Sequence, residues 1–351
     1  MYRLPNLTSI RFFLASFVVL FHLPEYCINR GFPYFNDFPL FFRGTEAVYA
    51  FFSLSGFLII RNLFLEKKGN KINLKKFYLR RMLRIFPLYY LVFFIGLIFY
   101  HLIAPKFGYI PDPSYNIATC LALGLTFFPN ILATYKPGGI IEVLWSIGIE
   151  EQFYLFIAPV IYYLKAKSSF IFLILFTIIY FYFSHYSIIN KTLLKYGMYF
   201  YFFSFSGIMA YISLKKDFSK ITKLVPYTSF SITILVFFTD ILKSNLDSSM
   251  YNMLCMANFS ITIYFLSLQP IKPLENNTLK QLGEISYGIY MYHPIVFQFM
   301  GFVYLKSGIH YSAPENVSVV VFYFSVFIFT LLISYFSYHF FEKKFLKLKT
   351  Y

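Results

Sequence analysis

The chain has 351 residues, 58% hydrophobic and only 13% charged, where a soluble domain carries about 25% charged residues. That composition excludes an ordinary soluble domain and points to a polytopic membrane protein. The net charge of +16 does not imply nucleic acid as a partner, because Lys and Arg gather in short loops between apolar runs, where they set topology.

Ten apolar runs read as spanning helices, since a spanning segment must satisfy its own backbone hydrogen bonds. Their approximate limits are 7–27, 45–64, 85–103, 145–164, 169–185, 197–214, 225–242, 250–268, 285–305 and 316–340. The expected fold class is all-α, a polytopic transmembrane helical bundle of about ten spans. It is expected to form a single domain over 1–351 with no appended soluble domain.

With the N-terminus in the cytoplasm, 23 of the 31 Lys and Arg residues fall on the cytoplasmic side. They include Arg3, Arg11, the basic loop 61–84, Lys216, Lys220, Lys223, Lys343, Lys344, Lys347 and Lys349. Both termini are then cytoplasmic. Residues 116–134 are apolar enough to span, but a full crossing there would invert every later loop. They are expected to be re-entrant or to lie against the bundle, and Gly124 and Pro129 suit a broken helix.

The first run, Asn6 to Pro24, carries Arg11 and His22. Eleven residues separate them, three helical turns plus roughly 20°, so both project from one face about 16 Å apart along the axis. An ionisable residue inside a span is costly and marks a functional candidate. Arg11 also suits a snorkelling or topology-setting residue, and His22 an interfacial one. In the second run, Ser53, Ser55 and Gly56 suit close helix packing, and Glu46 stands at its outer end. Next, Arg80, Arg81 and Arg84 form a basic face suited to bidentate phosphate contacts, or simply a positive-inside loop. The fourth run opens with Glu150, Glu151 and Gln152, expensive residues in an apolar stretch. This is the same outer end as His22, so a carboxylate there is expected to orient the imidazole as a general base. In the ninth run, Tyr287 and His293 are further candidates, structural or functional, and Pro294 suggests a local helix break beside His293. The histidines His101, His185, His310 and His339 fall at span ends or loops. The chain has no phosphate-binding Gly-rich loop, no metal-ligand spacing and no G-x-S-x-G elbow, so the expected metal content is none.

Taken in order, these segments resemble acyltransferase family 3, integral-membrane O-acyltransferases of bacteria that act on cell-surface glycans. The resemblance rests on Arg11 with His22, FFSLSGFLI from Phe51, and FYLRRMLRIFPLYY from Phe77. WSIGIEEQFYL from Trp145, LGEISYGIYMYHPIV from Leu282 and YHFFEKKF from Tyr338 complete it. It implies transfer of an acyl group, usually acetyl from cytoplasmic acetyl-CoA, to a hydroxyl of an extracytoplasmic glycan. It places the protein in the bacterial inner membrane, with membrane lipids around it and a surface glycan or lipid-linked saccharide as acceptor. Acetyl-CoA is a substrate, and no cofactor is permanently bound. His22 falls on the family's proposed catalytic histidine, Arg11, Arg81 and Arg84 on its basic positions, and Glu150 on its carboxylate. Many members have an acidic residue where this chain has Tyr49; Glu46, three residues earlier, is a candidate substitute.

Together these expectations give catalytic roles to His22, Glu150 and Arg11. Donor binding falls to Arg80, Arg81, Arg84 and Ser55, with Glu46, Glu151, Tyr287 and His293 as further candidates. The small residues around Ser55 and Gly56 would leave room for the donor's arm. The alternative is an exporter or flippase of a polysaccharide-assembly system, with intramembrane charges along its pathway.

Overall fold

The computed structural model of the protein describes residues 4–69, 71–112, 114–215, 224–308 and 314–348. Arg3, Lys216, Lys220, Lys223, His310 and Lys349 lie outside the described residues. Every described regular element is helical, with no strand among the described residues.

Each of the ten apolar runs forms a helix. The first three are α1 (Leu7–Ile28), α2 (Gly44–Lys68) and α3 (Leu74–Ile98). Three short helices follow: α4 (Ile117–Leu125), α5 (Pro129–Leu132) and α6 (Gly139–Glu142). Then come α7 (Trp145–Tyr163), α8 (Ala166–Tyr186), the short α9 (Asn190–Lys195) and α10 (Phe200–Lys215). The next are α11 (Leu224–Phe238), the short α12 (Ile241–Asn245) and α13 (Ser248–Leu266). The last are α14 (Asn277–Glu284), α15 (Ser286–Ser307), α16 (Glu315–Ser337) and α17 (Lys343–Lys347).

Among the described residues, five helical stretches are long and apolar enough to cross a membrane by length and composition: Leu7–Ile28, Gly44–Lys68, Leu74–Phe107, Ala166–Tyr186 and Glu315–Lys347. The segment 116–134 is broken. α4 covers nine residues, about 14 Å at 1.5 Å per residue, too short to cross. The chain then turns at Phe127, whose φ is positive, before Pro129 starts α5.

One boundary differs from the sequence expectation in a way that matters. The third span was expected to begin near residue 85, after a basic loop. Instead α3 starts at Leu74, with the Asn73 side chain accepting a hydrogen bond from the Lys76 N–H at 2.9 Å. Such a cap satisfies one of the donors a helix start leaves open. The arginines therefore sit on a rigid helix, and each faces a different neighbour.

α2 is the hub, packed against α1, α7, α10 and α13. Its Gly56 lies so close to the Phe203 backbone of α10 that a Cβ would collide with it. The small-residue patch thus serves helix contact at Gly56, not an open passage. α1 packs on α2, α14 and α15. Its start is pinned by Asn6, whose Nδ2 donates to the carbonyls of Leu266 and Gln269, each at 2.8 Å.

Two prolines inside helices show how buried backbone is satisfied. Proline lacks the N–H that would bond the carbonyl four residues earlier. Pro159 so frees the carbonyl of Leu155, which accepts from the Tyr78 hydroxyl of α3 at 3.2 Å. Pro294 frees the carbonyl of Tyr290, which lies 2.7 Å from Nδ1 of His293. α15 therefore runs unbroken through Pro294, contrary to the break expected there.

Candidate active site

Arg11 and His22 both project toward α15 but meet different surroundings. At the Arg11 end, Arg11, Arg84 and Tyr287 line a cavity of about 290 Å³ with Thr8, Glu284, Tyr338, Glu342 and Leu346. Four separate parts of the chain build it: α1, α3, α14–α15 and the C-terminal turn. Tyr287 is fixed by donating its hydroxyl to the Ile85 carbonyl of α3 at 3.0 Å.

Deeper in the bundle lies Glu150 of α7. Its Oε1 accepts from the Ser55 hydroxyl of α2 at 3.1 Å, and its Oε2 from the Tyr154 hydroxyl at 2.8 Å. The Tyr154 ring lies 5.5 Å from the Arg81 guanidinium, within cation–π range. Arg11 and Arg81 are both within electrostatic reach of Glu150. Glu151 is buried beside Arg81, with its Oε1 lacking a hydrogen-bond partner among the described residues. Arg11, Arg81, Glu150, Glu151 and Tyr154 thus form one charge cluster continuing inward from the cavity.

The three arginines of α3 divide their work. Arg84 lines the cavity, Arg81 lies on Tyr154, and Arg80 pairs with Glu66 at 2.8 Å in a half-exposed ion pair.

His22 is elsewhere. Its side chain is 37% exposed, and its Nδ1 lies 3.6 Å from Oε2 of Glu25. Its ring stacks on His293 at 5.4 Å between centroids. His293 is buried and held by the Tyr290 carbonyl, while the Tyr290 hydroxyl donates to the Val143 carbonyl at 3.0 Å and lies 2.7 Å from the Ser146 hydroxyl. No hydrogen bond or ion pair joins Glu150 to His22 among the described residues, so the expected orienting carboxylate is misassigned. Glu150 takes the nearest donors, Ser55 and Tyr154, and Glu25 fills the place beside the imidazole. Glu142 also faces His22 electrostatically.

Glu46 belongs to neither group. It is buried, accepts from Lys243 at 2.8 Å and Tyr251 at 3.1 Å, and lies 3.9 Å from Arg43. Arg43, 1% exposed, donates to the carbonyls of Val236 and Thr239 and to the Asp240 carboxylate. Tyr49, the position where an acid was missing, packs its ring against Tyr199 and Phe202.

The model of a family described as an acyltransferase domain matches residues 4–339. The chain belongs to acyltransferase family 3. It is 29% identical to "Putative acetyltransferase ORF330" of Acidianus two-tailed virus, over 87% of each chain. It is 25% identical to "Putative O-acetyltransferase SACOL0978" of Staphylococcus aureus, over 98% of this chain and 57% of that protein. "Putative peptidoglycan O-acetyltransferase YrhL" of Bacillus subtilis is 28% identical over 47% of this chain and 25% of its own length. The chain thus spans little more than half of the staphylococcal relative. No solved structure matches it.

Within this acyltransferase, matched segments far apart in sequence converge. FYLRRMLRIF, WSIGIEEQFYL and YHFFEKKF meet around the cavity and the charge cluster. The sequence reading missed Tyr154, Glu25, Glu284 and Glu342. Two of these carried a signal: Tyr154 follows Glu150 by four residues, and Glu25 follows His22 by three, spacings that share a helix face.

Proposed function

We propose that the protein transfers an acyl group, acetyl from acetyl-CoA, to a hydroxyl of a glycan on the opposite side of the membrane. The observation that carries this reading is the polar route itself. A cavity lined by Arg11 and Arg84 opens at one end of α1, the Arg11–Arg81–Glu150 cluster continues it inward, and a half-exposed imidazole stands near the other end. Charged groups are placed in a membrane interior at high cost, and a route for a polar donor accounts for their placement.

The chain crosses the membrane ten times with both termini in the cytoplasm, and 116–134 re-enters from the outer side. The strong Lys and Arg bias supports this orientation. The Arg11 end is then cytoplasmic, where acetyl-CoA is available, and no resident cofactor is required. His22 acts as the general base. Nδ1, facing Glu25, keeps the proton, and Nε2 takes the proton of the acceptor hydroxyl as its oxygen attacks the thioester carbon. The C–S bond then breaks, and the proton passes from His22 to the departing thiolate. Arg11 and Arg81, balanced by Glu150, hold the donor's polar groups in the bundle. The family and the relatives' names support acetyl transfer, and the envelope glycan acceptor follows the Bacillus relative's name.

Membrane vesicles of known orientation, given radiolabelled acetyl-CoA, test the reading. Label should reach the envelope glycan when the donor is supplied on the Arg11 side. Saccharide movement without donor, and no label on the glycan, would overturn acyl transfer in favour of transport.

A further inference from the structure

The cavity at the Arg11 end has a charge pattern that does not suit phosphate. Its formal charges cancel, with Arg11 and Arg84 against Glu284 and Glu342. Carboxylates facing phosphate groups in a low-dielectric site repel them. Its volume, about 290 Å³, lies at the lower edge of the roughly 300–1,000 Å³ that encloses a drug-sized ligand. A slender group fits it better than a nucleotide.

Glu342 is aimed there by its supports. It is 7% exposed. The Tyr292 hydroxyl donates to Ser337 at 2.9 Å, and the Ser337 hydroxyl donates to Oε1 of Glu342 at 3.2 Å. The backbone widens to a π-helical turn over Tyr338–Glu342, a feature frequent at functional sites. Directly beyond it, α17 packs on α3. That contact brings Lys343, Lys344 and Lys347 from the C-terminal segment toward the helix that begins with the exposed Lys75 and Lys76. Mixed charge therefore lines the interior, and lysine lies outside it.

Resting on the acyl-transfer reading, we propose that this cavity receives the uncharged, amide-bearing arm of the acyl donor, with Glu342 accepting a hydrogen bond from an amide N–H. The donor's phosphates stay outside, on the lysines of α17 and of the start of α3. Glu342 is thereby a donor-binding residue that selects the arm, and the C-terminal turn is a wall of the donor site.

Binding to the purified full chain in detergent tests this, by displacement of labelled CoA with pantetheine and with adenosine 3′,5′-bisphosphate. Glu342→Gln keeps the shape but removes the charge that strengthens the bond. CoA and pantetheine should both weaken by the same factor, about five- to tenfold, with the bisphosphate unchanged and the melting temperature preserved. Tighter bisphosphate binding with pantetheine unaffected would place Glu342 against the phosphates and overturn the proposal. Equal weakening of all three ligands with a lowered melting temperature would reduce Glu342 to a structural role and overturn it too. Wild-type protein that binds no CoA would instead remove the acyl-transfer reading beneath it.

Discussion

The protein gathers two groups of charge that reach from its surface into the bundle, and they are built on different plans. Around the start of α2, Arg43, Glu46, Lys243 and Asp240 pair with one another, with Tyr251 and two backbone carbonyls completing the set, and Oε2 of Glu46 is left without a hydrogen-bond partner among the described residues. In the second group Arg11 and Arg84 line a cavity, and Arg81, Glu150 and Glu151 continue inward from it, with Glu151, like Glu46, keeping a buried oxygen without a hydrogen-bond partner among the described residues. The first group ties α2 to α11, α12 and α13. The second presents two arginines, Arg11 and Arg84, to an open cavity. Buried charge in a membrane bundle is thus not by itself a mark of chemistry. What distinguishes the two groups is whether they close on protein or open on a cavity.

The comparison can be broken at several points. The largest effect is expected beyond both clusters, at the proposed base. His22→Ala should lower the initial rate of label transfer by roughly 10²–10⁴-fold, the usual contribution of a general base, with an unchanged melting temperature. Near-normal transfer would remove His22 from the chemistry. Next comes the closed cluster. Arg43→Ala strands the Glu46 carboxylate with fewer partners, and breaking a buried pair costs about 3–5 kcal/mol. Melting in detergent should fall sharply, while the folded fraction keeps its specific activity. A normal melting temperature would show that the cluster is not what secures α2. The smallest effect separates two arginines of one helix. Arg84→Ala should raise the apparent KM for acetyl-CoA roughly tenfold, as for a lost bond to a charged group. Arg80→Ala breaks only a half-exposed pair with Glu66, worth about 0.2–1 kcal/mol, and should change KM less than about fivefold. Equal effects would mean that the basic face acts as a diffuse field, not through placed residues.

Much of the fold was legible because apolar runs of spanning length have few alternatives to helix in a membrane. All ten expected runs are helical, most with ends within a few residues of the expected ones. The start of α3 was misplaced because its first turns carry five Lys and Arg residues between 75 and 84. Charge density says nothing about backbone conformation there, whereas the Asn73 cap fixes it. His293 was singled out as a polar residue at a helix break. Its ring instead covers the carbonyl that Pro294 leaves unpaired, a local bond that only coordinates show.

Spacing along the chain determined that Arg11 and His22 share a face of one helix, and that Glu150 and Glu151 enter an apolar segment, because helical periodicity is a local property. It could not determine partners, because those depend on how distant helices rotate against one another. Tertiary packing alone sent Glu150 to Ser55 and Tyr154 and away from His22. It enclosed Glu46 with Lys243, and it brought the C-terminal Glu342 to the cavity that Arg11 opens. Rotating one helix by about 100° exchanges one residue's neighbours for the next, and that rotation is set by contacts such as Gly56 against Phe203.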